Sequence, residues 1–180
     1  VGYGGSCFPK DIKAIISTSA DYGYDFEILK AVESVNALQK VLLVKMVKDY
    51  YGADLKSKKF ALWGLSFKPR TDDMREAPAL EIIKGLKAAG ATFAVYDPEA
   101  MDECRRVIGD DVEYCDNYYD TLENADALIV ATEWSDFREP DFDQMKSTLK
   151  EAVVFDGRNI YSPEKMKERG FKYFSIGRPV

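Results

Sequence analysis

Two kinds of hydrophobic pattern divide the chain near residue 56. Up to there the apolar positions recur every three or four residues, the spacing of helices. Beyond it, short apolar runs alternate with helical stretches. The first helix is predicted from about 8 to 22, with Pro9 in its first turn and Gly23 past its end. Asp25 stands as the N-cap of a second, longer helix reaching about Tyr51 and stopping at Gly52. Its apolar positions are Ile28, Val32, Val35, Leu38, Leu42 and Met46, and Val41-Leu42-Leu43-Val44 is apolar on every side. A helix apolar all round calls for burial all round. Either another domain of the same protein or a second subunit covers it.

The polar stretch from Ala53 to Lys59 reads as a linker. Strands are then predicted at 60–63, 92–96, 127–131, 152–155 and 172–176. Helices fit from about Pro78 to just before Gly90, and near 99–108, 118–124, 141–149 and 163–169. Such alternation predicts an α/β fold, a Rossmann-like parallel sheet with helices on both faces, preceded by the long-helix segment. The chain is therefore divided into a helical segment, 1–56, and an α/β domain, 57–180.

Candidate chemistry concentrates in the opening loop, Gly2-Tyr3-Gly4-Gly5-Ser6-Cys7-Phe8-Pro9-Lys10-Asp11. Its cysteine stands at a predicted helix N-terminus, where unpaired N–H groups and the dipole favour thiolate over thiol. Lys10 and Asp11 follow at three and four residues, on the same face. Lys10 favours the thiolate, Asp11 opposes it, and Asp11 is suited to act as a base toward water or substrate. The plainer alternative is an inert cysteine beside a Gly-Gly turn.

In a parallel sheet, ligands bind beyond the carboxyl ends of the strands. After the first strand comes a charged loop with Lys68, Arg70 and Arg75, which is either a phosphate site at a helix start or a solvated surface. It holds no G-x-G-x-x-G motif. Asp97, ending the second strand, suits a turn better than a ribose contact. Trp134 either packs or flanks a ligand. Arg158, in Asp156-Gly157-Arg158, is either a surface arginine on a turn or a fork of donors.

The loop Gly2 to Asp11 resembles the active-site signature of the nucleotide-sugar dehydrogenases, the UDP-glucose/GDP-mannose dehydrogenase family. Cys-Phe-Pro-Lys-Asp is similar to the UDP-glucose branch, whereas the GDP-mannose branch tends to read Cys-Leu-Pro-Lys-Asp. Phe67-Lys68, Thr132-Glu133-Trp134 and Asp156-Gly157-Arg158 extend the resemblance along most of the chain. The resemblance implies NAD-dependent oxidation of a sugar C6 alcohol to a carboxylate in two hydride transfers. It implies Cys7 as nucleophile and Asp11 as proton-transfer aid. Lys10 and Arg75 are implied as NAD contacts, and Tyr3, Gly4, Phe67, Lys68 and Arg158 as UDP-sugar contacts, Arg158 reaching a neighbouring subunit. It further implies an upstream NAD-binding domain that this chain lacks, so that the piece alone binds UDP-sugar without turnover, and a homodimer through the helix 26–51. Still open are another sugar substrate of the same family, a non-catalytic nucleotide-binding module and an oligomerisation element.

Composition narrows the rest. With 180 residues and 46% hydrophobic content a proper core is available. A net charge of −6 gives no basic footprint for nucleic acid. No apolar run of about 18 residues suggests a membrane span. Three scattered cysteines suggest a reducing, cytoplasmic setting. The absence of histidine excludes histidine-based triads, dyads and metal sites within the chain, and no metal is expected.

Overall fold

Six parallel strands in the order β3-β2-β1-β4-β5-β6 form the body of the computed structural model, which describes residues 1–178. The strands are β1 (Lys59–Trp63), β2 (Thr92–Tyr96), β3 (Glu113–Tyr114), β4 (Ala127–Val130), β5 (Val153–Asp156) and β6 (Lys172–Ser175). The helices are α1 (Phe8–Asp21), α2 (Glu27–Lys40), α3 (Leu42–Tyr51), α4 (Pro78–Lys87), α5 (Met101–Ile108), α6 (Phe142–Thr148) and α7 (Pro163–Glu168). This is the α/β, Rossmann-like arrangement that strand–helix alternation predicts.

The apolar runs are continuous because both faces of the sheet are covered. Alternate residues part to opposite sides. Phe60, Leu62, Ile129 and Phe155 join α3 and α4 in one cluster, through Leu43, Val47, Ile82 and Leu86. Ala61, Trp63, Leu128, Val130 and Val154 join Met145 of α6 and Met166 of α7 in the other. The chain runs outward from β1 to β2 and β3, then returns to β4 on the other side of β1. Strand order therefore reverses between β1 and β4, and the crevice at their carboxyl ends is the place for a ligand.

Four expectations change. The helix 26–51 is two helices, broken at Val41 (φ −99°, ψ 3°). The break lets α2 bury Asn36 and Lys40 while α3 buries Leu43, Val44 and Val47 against the sheet. The N-cap of α2 is Phe26, and Asp25 instead pairs with Lys30 at 2.5 Å. The stretch at 118–124 is only a 3-10 turn, Asp120–Leu122. The polar stretch 53–59 buries Leu55 completely, and the Leu55 N–H donates to the Ala89 carbonyl at 2.8 Å. The run Val41–Val44 is not covered on all sides within this chain: Val41 is exposed, as are Ile28, Val35 and Leu38 on α2. No helix among the described residues is long and apolar enough to cross a membrane.

Candidate active site

The glycine loop lies on the loop that follows β1. The Gly5 N–H donates to the Arg75 carbonyl at 2.7 Å. Gly4 is there because a Cβ would stand 2.4 Å from the Glu76 carbonyl oxygen. Gly5 has φ +90°, and a Cβ there would meet the Phe67 ring at 2.8 Å. The other side of the loop is tied to α2. The Tyr3 N–H donates to Asn36 Oδ1 at 2.7 Å, Asn36 Nδ2 returns a bond to the Tyr3 carbonyl at 3.2 Å, and the Tyr3 hydroxyl donates to Glu33 Oε1 at 2.7 Å. Desolvation, then the Glu33 carboxylate, push the Tyr3 phenol up to about 12.

Cys7 occupies the N-cap position of α1 and is exposed. Its carbonyl accepts the Asp11 N–H at 2.9 Å, so the first turn closes around it. Its sulfur lies 3.6 Å from Ser6 Oγ. Lys10 and Asp11 are both exposed and pair with each other at 3.0 Å. That bond with Asp11, with a smaller push from Cys7, raises Lys10 above the ordinary lysine value. Cys104 and Cys115 differ sharply from Cys7: both are buried, and desolvation pushes each thiol up to about 11.

The carboxyl-end rim is built around two buried aspartates. Asp97 Oδ2 accepts from Leu65 N–H (2.7 Å), Ser66 N–H (3.2 Å), Ser66 Oγ (3.2 Å) and Trp134 Nε1 (3.1 Å). Its Oδ1 accepts from Glu99 and Ala100 N–H, each at 2.9 Å. Asp97 is thus a turn former, as its sequence context predicts, and it also anchors the loops after β1 and β4. Trp134 packs: it is buried, and its N–H goes to Asp97. Asp156 accepts the Arg158 N–H on Oδ1 at 2.8 Å and the Tyr173 hydroxyl on Oδ2 at 2.7 Å, fixing the turn that carries Arg158.

Arg158 then crosses the mouth of the crevice. Its Nε donates to the Ala131 carbonyl at 2.7 Å and its Nη2 to the Phe67 carbonyl at 2.8 Å. Glu133 Oε2 lies 3.0 Å from Nε. The Nε hydrogen points to Ala131, so this oxygen, although buried, receives no hydrogen bond among the described residues. Burial lowers the Arg158 pKa and the Glu133 charge opposes that shift. Within the single chain, Arg158 links β4, β5 and the Phe67 loop.

Phe67 is half-buried, and Lys68 Nζ stands 5.2 Å from its ring centroid. Arg75 is exposed and forks onto Asp73 through Nε and Nη2, both at 2.9 Å. That fork holds Asp73 below the usual carboxylate range. Lys68 and Arg70 have no carboxylate within ion-pair distance among the described residues. The structure therefore seats the loop that carries Tyr3, Gly4 and Cys7 against the Phe67 ring and the Arg75 carbonyl, both through Gly5, and joins Phe67 to Arg158. Sequence reasoning does not single out Glu76, Asn36 or Lys40, which hold the cysteine loop in place. Asn36 and Lys40 interrupt a stripe of helical apolar spacing, and that was their available signal.

Residues 61–163 match the UDP binding domain of the UDP-glucose/GDP-mannose dehydrogenase family, and residues 1–38 match that family's central domain. UDP-glucose 6-dehydrogenase of Pseudomonas aeruginosa is 43% identical over 183 residues, an alignment covering 99% of this chain and 40% of that protein. The Rhizobium meliloti UDP-glucose 6-dehydrogenase is 42% identical over 178 residues, again covering 99% and 40%. A solved UDP-glucose dehydrogenase from the archaeon Pyrobaculum islandicum superposes with a TM-score of 0.83 at 34% identity, covering 96% of this chain and 37% of that one. The chain spans about 40% of the length of these relatives. Since the matched regions take in both the strand-end rim and the loop that carries Cys7, the chain belongs to the UDP-glucose/GDP-mannose dehydrogenase family.

Proposed function

We propose that this chain is the sugar-nucleotide-binding and cysteine-bearing part of an NAD-dependent UDP-glucose 6-dehydrogenase. The observation that carries the reading is an exposed cysteine at the start of a helix, on a loop bonded directly to the strand-end rim. Lys68 and Arg70, with no carboxylate partner among the described residues, suit the diphosphate of a UDP-sugar. Phe67, Tyr3 and Gly4 border the space for the sugar, and Arg158 fixes the Phe67 backbone and keeps further N–H donors for the ligand.

Cys7 supplies the covalent chemistry. Its thiolate forms a C–S bond to the C6 aldehyde carbon while the carbonyl oxygen takes a proton. After oxidation to the thioester, water attacks the same carbon, the C–S bond breaks, the carboxylate leaves and the thiolate is restored. Asp11 assists the proton transfers. Alcohol to carboxylate removes two hydrides, for which bound NAD would supply the acceptor. The sheet of this chain does not fit that dinucleotide. The loop after β1 lacks the glycine fingerprint, and Asp97, where a ribose acceptor would stand, is saturated by internal donors. Lys10 and Arg75 remain as exposed edge contacts to a cofactor held chiefly by the rest of the protein. The 180-residue chain alone accordingly binds UDP-sugar without turnover.

Calorimetric titration of the chain with UDP tests the binding half, and absence of both heat and thermal shift refutes it. In the complete protein, Cys7→Ser removes uronate formation, and retained turnover refutes the covalent role. Turnover with UDP-glucose, GDP-mannose and UDP-N-acetyl sugars separates the members of the family. The exposed Ile28, Val35 and Leu38 of α2 support a second subunit or domain seated there. Leu38→Glu is expected to convert a homodimer of the complete protein to monomer by light scattering, and an unchanged mass refutes it.

A further inference from the structure

Glu76 joins three segments beneath the cysteine loop. Its Oε1 accepts from Lys13 Nζ of α1 and its Oε2 from Lys40 Nζ of α2, both at 2.7 Å. Lys40 is 8% exposed, so this lysine is buried with its charge and the carboxylate is its partner. The backbone of Glu76 sits at φ +56°, a region that side-chain-bearing residues rarely adopt. That strain is held in place by the two lysines and has a visible result. It turns the Arg75 and Glu76 carbonyls toward the glycine loop. One takes the Gly5 N–H at 2.7 Å, and the other lies where a Cβ of Gly4 would be, 2.4 Å away.

Cys7 is thereby held from both sides. The loop before it rests on the Arg75–Glu76 backbone, two and three residues ahead of the sulfur-bearing residue. The helix after it is tied through Lys13 to the Glu76 side chain. An ordinary surface ion pair would leave the backbone relaxed and would join two segments only. This one has an unfavourable φ, a buried lysine and a shared seat for the loop, all at one residue.

We propose that Glu76 is a positioning residue for Cys7, and that the Lys13–Glu76–Lys40 bridge sets where the thiol stands relative to the strand-end rim. The functional half of this inference rests on Cys7 being the nucleophile. The bridge itself is testable without that assumption.

Hydrogen exchange in the 180-residue chain reads the seat. Glu76→Gln is expected to speed exchange of the Gly5 amide by about tenfold or more, while amides in β1 and β4 keep their protection. Lys13→Met, at a half-exposed lysine, gives the same local effect in a smaller degree and covers the case in which Glu76→Gln does not fold. In the complete protein, Glu76→Gln is expected to lower kcat about tenfold or more with KM for the UDP-sugar within about twofold, the mark of a displaced reacting group. Unchanged Gly5 exchange overturns the proposal. Equal loss of protection across the sheet also overturns it, because the residue is then merely structural. A normal kcat alongside a loosened loop overturns the positioning role. Should Cys7→Ser keep full turnover, the nucleophile reading fails, and the exchange data still decide whether Glu76 seats the loop.

Discussion

Asp97→Asn isolates the electrostatic anchor of the strand-end rim. The substitution is isosteric, so packing is unchanged and only the acceptor set differs. If the amide nitrogen replaces Oδ2, the N–H groups of Leu65, Ser66 and Trp134 lose their acceptor. If the amide flips, the N–H groups of Glu99 and Ala100 lose theirs. The second arrangement sacrifices fewer bonds and should prevail. Hydrogen bonds to a charged group contribute about 1.5–3 kcal/mol each, so losing two costs about 3–6 kcal/mol. That is a large share of the roughly 5–15 kcal/mol that holds a domain together. Urea unfolding of the chain, followed through the buried Trp63 and Trp134, reads the loss directly. At an unchanged slope of about 1–3 kcal/mol per molar, the midpoint falls by about 1 M or more. A cost below about 1 kcal/mol refutes the argument, for the buried donors would then have found other acceptors.

Other perturbations test other joints. Leu55→Ala removes a fully buried side chain from the stretch that reads as a linker and should cost about 2–5 kcal/mol by thermal unfolding, whereas a true linker would be indifferent. Gly4→Ala drives a methyl group onto the Glu76 carbonyl and should cost about 1–3 kcal/mol in urea unfolding, with the loss confined to the loop by hydrogen exchange. Hydrogen bonds from Lys13 and Lys40 hold the Glu76 carboxyl down to about 2, against an ordinary 4.5. A depressed carboxyl stabilises the fold above its unfolded value and loses that contribution as pH falls from about 5 through 2. Because the side chain is 43% exposed, screening reduces the effect to about 1 kcal/mol, and Glu76→Gln should flatten the acid limb of the stability curve by that amount.

The strands were legible because burial on both faces leaves short, unbroken apolar runs such as Phe60–Trp63 and Ala127–Val130. Where the physics is not periodic, the pattern fails. β3 is two residues long and shows no period at all. Residues 118–124 satisfy helical spacing, yet Trp63 Nε1 donates to the Tyr118 carbonyl at 2.9 Å, and the chain turns only once around that bond. The break at Val41 involves neither glycine nor proline. It follows from two surfaces, the glycine loop and the sheet, that lie in different directions from the same helix. Leu55 is a lone apolar residue among polar ones, and nothing local reveals that it enters the core.

The site divides in the same way. Cys7 was legible because glycines, cysteine and proline in that order dictate a loop entering a helix, and the structure adds its exposure and its seat. The charged run from Lys68 to Glu76 was not legible, because composition cannot say which charges are already engaged. Arg75 is engaged by Asp73, two residues away, and Glu76 by lysines 63 and 36 residues distant. Arg158, from the far end of the domain, donates to the Phe67 carbonyl. Removing these leaves the exposed Asp72 and, as cations, Lys68 and Arg70, both exposed and with no carboxylate within ion-pair distance among the described residues. A run of charges that reads equally as solvated surface or as a phosphate site is thereby sorted, since an anionic ligand can draw only on charges that the fold has not already neutralised. Neutralising Lys68 should therefore weaken UDP binding more than neutralising Arg75, although both lie in the same loop and carry the same formal charge.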